Sequence, residues 1–139
     1  MGMRRKGREL ALQILYQIDM VSQEPGQALS LFRENFERQP EAEDFAVELV
    51  EGVWHEREKI DKLIANSAEH WRLGRIGRVD VNVLRVATYE LLHCPNTPAS
   101  VAINEAVEIA RRYGTDDSPP FVNGVLDHIA TVLGKKEEH

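Results

Sequence analysis

Apolar side chains recur at three- and four-residue steps along almost the whole chain, and the positions between them are polar. That period belongs to helices with one buried face, not to strands, whose faces alternate at every residue. Leu10, Ile14, Ile18 and Val21, widened by Ala11 and Leu15, predict a first helix from about Arg5 to Ser22, stopped by Pro25-Gly26. A second helix carries Leu29, Phe32 and Phe36 and ends before Pro40. A third carries Phe45, Leu49, Val50 and Val53, and a fourth Ile60, Leu63 and Ile64. After a connection through Trp71, Gly74 and Gly77, a fifth turns Val79, Val83, Leu84, Ala87 and Leu91 inward and ends before Pro95.

The last two helices have the clearest punctuation. Thr97-Pro98 precedes a helix bearing Ile103, Ala106, Val107 and Ala110, and Gly114 stands where a left-handed cap is expected. Ser118 reads as the N-cap of a seventh helix with Pro119 at its first position, where the missing N–H costs nothing. Phe121, Val125, Ile129 and Val132 carry that helix to Gly134. No alternating strand and no internal repeat interrupts the pattern. The expectation is an all-α, compact seven-helix domain over residues 1–134, with 135–139 a disordered tail.

Size agrees with a single domain, because 139 residues can bury a core without disulfides or metals. Cys94 is the only cysteine, which excludes an intramolecular disulfide and suits a reducing cytoplasm. No apolar run approaches the roughly 20 residues of a membrane span. Gln13, Gln17 and Asp19 break the stretch that a signal peptide would need after the basic start. No membrane is expected as a partner.

Charge changes the picture more. The first eight residues hold Arg4, Arg5, Lys6 and Arg8 and no acid, whereas the remainder carries 13 basic and 23 acidic side chains. Salt screens distant acids within roughly 8–10 Å, so a local cationic cluster can attract a polyanion despite a net charge of −6. Nucleic acid is the partner this suggests, and a solvated terminus is the plain alternative.

Candidate chemistry is otherwise sparse. His55, His70, His93, His128 and His139 lack metal-ligand spacing, and His55-Glu56 is followed by Lys59 where a zinc helix needs a second histidine. His93-Cys94 has no second pair to complete a tetrahedral site, so Cys94 reads as an ordinary thiol. Gly74, Gly77 and Gly124 follow no strand and precede no phosphate-binding lysine. Neither an enzyme nor a cofactor is expected.

Two segments look like binding surfaces. On a wheel of about 100° per residue starting at Leu10, the first helix's core set spans an arc of about 0–140°. Arg8, Leu12, Arg5 and Tyr16 fall at roughly 160–240°, away from the core centre. Guanidinium groups beside an aromatic ring suit phosphate contact and base stacking. The competing reading packs Leu12 and Tyr16 under a neighbouring helix. The second segment is Asp116-Asp117-Ser118-Pro119-Pro120-Phe121, where a helix start could hold an anion or its aspartates could accept from base amino groups. From the residues alone, a capped helix start with Phe121 in the core is the preferred reading. Arg72, Arg75 and Arg78 are explained as well by salt bridges and stay outside the site.

Both segments carry a resemblance. The run Arg4-Arg5-Lys6-Gly7-Arg8-Glu9-Leu10-Ala11-Leu12-Gln13-Ile14-Leu15-Tyr16 resembles the N-terminal signature of the bacterial NusB family of transcription antitermination factors. Val101-Ala102-Ile103-Asn104-Glu105-Ala106-Val107-Glu108 and Phe121-Val122-Asn123-Gly124-Val125-Leu126-Asp127 resemble its second and third signatures. Val79-Asp80 through Leu84-Arg85 to Tyr89-Glu90-Leu91-Leu92 resembles its fifth-helix pattern. The match runs through essentially the whole chain in the family's order.

The resemblance implies two packed helical subdomains and no catalysis. It also implies binding of boxA RNA in ribosomal RNA leader transcripts together with NusE, a small-subunit ribosomal protein. The pair joins an RNA polymerase antitermination complex and supports rRNA maturation. By position, Arg4, Arg5, Lys6 and Arg8 match the family's RNA-binding arm, and Tyr16 its aromatic near RNA and NusE. Asp117, Ser118 and Phe121 match the RNA-contacting start of the last helix, and Asp80 an acid on the NusE face. Two departures stand out: Gly7 replaces a common alanine, which would fray the arm, and Pro120 replaces a frequent basic residue. The rivals are a protein-interaction module or homodimer built on Leu12 and Tyr16, and a domain fused to an RNA cytosine methyltransferase, which requires a Rossmann-like domain after residue 139.

Overall fold

In a computed structural model of the chain, which describes residues 2–22, 24–35, 40–68 and 76–135, seven α-helices are present. They are α1 (Met3–Val21), α2 (Pro25–Asn35), α3 (Pro40–His55), α4 (Arg57–Ser67), α5 (Arg78–His93), α6 (Ala99–Tyr113) and α7 (Ser118–Val132). The fold is all-α, as the period of the apolar positions predicts. The side chain of Phe32, together with Phe36, His70, Trp71, Arg72, Gly74, Arg75 and residues 136–139, lies outside the described residues.

α1 packs along α3 and α6 along α7, while α5 touches α1, α3, α4, α6 and α7 and so joins the two groups. Leu10 and Leu15 of α1, Leu49 of α3, Ile64 of α4, Leu84 of α5 and Leu126 of α7 are all sealed in one core. Each such side chain contributes about 1.5–3 kcal/mol of burial. Close approach between helices is made by glycine. A Cβ on Gly52 of α3 would stand 2.2 Å from Cε1 and 2.3 Å from Cζ of Tyr89 on α5. One polar clamp ties α1, α4 and α5. Arg85 donates through Nε to Asp61 Oδ1 at 2.8 Å and through Nη1 to Asp19 Oδ2 at 3.0 Å. Asn82 joins it by donating to the same Asp19 oxygen at 2.9 Å.

Several local expectations are corrected. Pro25-Gly26 does not merely stop α1; Pro25 is the first residue of α2, where its fixed φ fits and its missing N–H is harmless. α1 ends where the pattern placed it, with Ser22 as its C-cap, a left-handed residue with φ 54°. Gly7 does not fray the arm. It is buried within α1, and a Cβ there would come within 2.9 Å of Phe45 Cδ2 and 3.0 Å of the Ala42 carbonyl oxygen. Gly114 is not left-handed (φ −98°); it is needed because a Cβ would meet Ser118 Oγ at 2.3 Å. The N-cap of α7 is Asp117, one residue earlier than Ser118.

Candidate RNA and partner interface

The cationic arm is helical from Met3 onward, so its side chains leave a fixed backbone in fixed directions. Arg4 is exposed, its guanidinium 4.0 Å above the Phe45 ring, and it reaches Thr97 Oγ1 at 3.3 Å. Arg5 is half-buried and grips Glu105 of α6, donating from Nε to Oε1 at 2.8 Å and from Nη2 to Oε2. The Arg5 hydrogen bonds hold the Glu105 carboxyl below the ordinary range despite its partial burial, and Glu105 in turn raises the Arg5 guanidinium. Lys6 is half-buried beside them.

Arg8 departs from the expected role. The helix wheel places Arg8 and Leu12 outward, yet both are buried, at 5% and 4% exposure. Val83, Val86 and Ala87 of α5 with Ala102, Ala106 and Ile109 of α6 close over them. The Arg8 guanidinium forks onto Glu90, which is 1% exposed, with Nε–Oε2 2.9 Å and Nη2–Oε1 2.8 Å. A cation held this way is a strut between α1 and α5, and it cannot meet a phosphate without abandoning Glu90. As a contact residue it is corrected to a positioning one.

Tyr16, 39% exposed, stays at the surface and lines an apolar groove of about 450 Å³ with Gln13, Met20, Val21, Val79 and Tyr113. The wheel's outward arc is thus divided: its N-terminal half is covered by α5 and α6, and its C-terminal half is open. Asp80 follows Val79 in the first turn of α5, half-buried, with Oδ1 enclosed and without a hydrogen-bond partner among the described residues.

At the start of α7, Ser118 is 1% exposed, and its Oγ accepts from the Thr115 backbone N–H at 2.9 Å. That hydroxyl closes the loop after α6. Asp116 and Asp117 are exposed, and Phe121 is half-buried against the core. Sequence reasoning missed the side chains that join the two segments. Tyr113 donates to Glu9 Oε2 at 3.3 Å while its ring lines the Tyr16 groove, and four residues later the chain reaches Asp117. The one available signal was an exposed aromatic directly before the Gly114 turn.

Among the described residues no group of three or more His, Cys, Asp or Glu is placed to hold a metal ion. His93 Nε2 lies 2.9 Å from Glu56 Oε1. Burial first, then Glu90 and Glu48, pushes the Cys94 thiol up, which keeps it protonated and unreactive at neutral pH. No helix among the described residues is long and apolar enough to cross a membrane.

The NusB family model matches residues 5–131. A transcription antitermination protein NusB of Desulfatibacillum aliphaticivorans is 46% identical over 99% of this chain and 96% of its own. Among solved structures, T. maritima NusB superposes with a TM-score of 0.83 at 39% identity, covering 92% of this chain and 90% of that one. A crystal structure of the antitermination factors NusB and NusE in complex with double-stranded RNA gives 0.84 at 26% identity, over 95% and 98%. With the family model spanning nearly all of the chain and the seven-helix architecture shared, this protein belongs to the NusB family of non-enzymatic transcription antitermination factors.

Proposed function

We propose that this protein binds the boxA element of ribosomal RNA leader transcripts together with NusE in the bacterial cytoplasm, and so joins an RNA polymerase antitermination complex. One observation carries the reading: α1 presents accessible Arg4 beside half-buried Arg5 near one end and an open apolar groove around Tyr16 near the other. A relative of the same fold has been crystallised with NusE and RNA, the two ligand classes these surfaces suit. Arg4, Arg5 and Lys6 attract the RNA backbone, while exposed Asp117 and half-buried Phe121 stand where bases could be read. Tyr16 and the neighbouring Asp80 receive NusE, a basic partner that the acidic body favours. Two weak surfaces joined in one complex then raise affinity through effective concentration.

A homodimer is the second reading, because Met20 and Val21 on the same groove are 57% and 56% exposed. Tyr16→Asp places a charge in the groove and weakens NusE binding by about tenfold or more in calorimetric titration. RNA binding falls by less, since Tyr16 supplies one stacking contact there and the arm's phosphate contacts remain. Undiminished NusE affinity contradicts the groove assignment. A concentration-dependent sedimentation shift that Tyr16→Asp abolishes identifies the groove as a dimer face instead.

A further inference from the structure

A second cleft lies between α1 and the last turn of α6, separate from the Tyr16 groove. It has a volume of about 170 Å³ and is lined by Arg5, Glu9, Glu108, Ile109, Arg111 and Arg112. Three guanidinium groups line it with two carboxylates; Arg5 is already forked onto Glu105, so the charge open to a ligand is that of the two α6 arginines. The two α6 arginines are weakly held. Arg111 Nε is 3.6 Å from Glu108 Oε1, with both side chains more than half exposed. Arg112 gives Nη1 to Glu9 Oε2 at 2.9 Å, but 62% of its side chain remains open. The Arg112 guanidinium also lies 5.5 Å from the Tyr113 ring centre, so an aromatic face adjoins the cleft.

We infer that this cleft binds a backbone phosphate of single-stranded RNA, with Arg111 and Arg112 as its ligands. The inference rests on the proposed RNA binding and deepens it, since the cleft contains Arg5 of the arm and its Arg112 adjoins the Tyr113 ring. A phosphate between forked cations with a stackable ring beside it is a nucleotide arrangement, whereas a protein carboxylate would use the cations alone. Arg112 keeps buried Glu9 as its anchor through Nη1, while the rest of its largely exposed guanidinium remains open to a phosphate.

The test uses fluorescence anisotropy of labelled single-stranded boxA RNA and a scrambled strand of equal length, with NusE present, at several salt concentrations. Arg111→Ala weakens both RNAs alike, by about fivefold, because a phosphate contact carries no sequence information. Its slope of log affinity against log salt is shallower by about 0.7. Glu108→Gln, which removes the competing carboxylate from Arg111, tightens both. Thermal unfolding of either variant matches the parent, since both sites are exposed. If Arg111→Ala keeps the parent's affinity and slope while Arg4→Ala with Arg5→Ala loses both, the cleft assignment is overturned and the RNA function stands. If the parent itself binds neither RNA, the RNA function and the cleft fall together.

Discussion

Arg8→Ala loses about 3–5 kcal/mol of folding stability, a large part of the roughly 5–15 kcal/mol available to a domain of this size. The cost comes from stranding Glu90, which is 1% exposed and receives both arms of the Arg8 fork. A carboxylate left alone at that depth has lost both the hydrogen bonds and the opposite charge that offset its desolvation. Replacing both partners, Arg8→Met with Glu90→Leu, recovers most of the loss, because no charge is then buried. Urea unfolding of the two single variants and the double one measures the coupling. The double variant also separates structure from contact, since it retains RNA binding if Arg8 is a strut. A well-folded double variant that no longer binds RNA would return Arg8 to the contact surface.

Gly52→Val costs about 3 kcal/mol, although valine is intrinsically a better helix former than glycine. The Tyr89 ring occupies the space a Cβ needs, at 2.2–2.3 Å, and a branched side chain forces the ring off α3. In a Tyr89→Ala background the overlap is gone, and the same substitution is neutral within about 0.5 kcal/mol. A comparable cost in both backgrounds would mean that the clash is not the cause.

These two contacts mark where sequence reading ends. Leu10, Ile14 and Ile18, or Phe121, Val125 and Ile129, report their helices through period alone, because the buried face is a local property of the wheel. Which neighbour covers the rest of that wheel is not local. Arg8 and Leu12 look outward until α5 and α6, some 80–100 residues later, close over them. Tyr16 on the same arc stays open because it lies beyond their reach, at the edge that Val79 and Tyr113 define. Ser118 and Gly114 were legible as punctuation, but their mutual contact, which turns the hydroxyl inward, follows from loop geometry. The arm was legible as charge. Its division into an exposed Arg4, a half-buried Arg5 and a buried Arg8 depended on where Glu90 and Glu105 would arrive.

The central claim is that accessible arm cations on α1 hold boxA RNA with help from NusE. It is tested most directly by anisotropy of labelled boxA RNA and a scrambled control, titrated with the protein alone and then with NusE at two salt concentrations. The account predicts boxA-selective binding that tightens when NusE is present and weakens as salt rises. Equal and weak binding of both RNAs with NusE present would contradict it, and would leave the Tyr16 groove as a purely protein-binding surface.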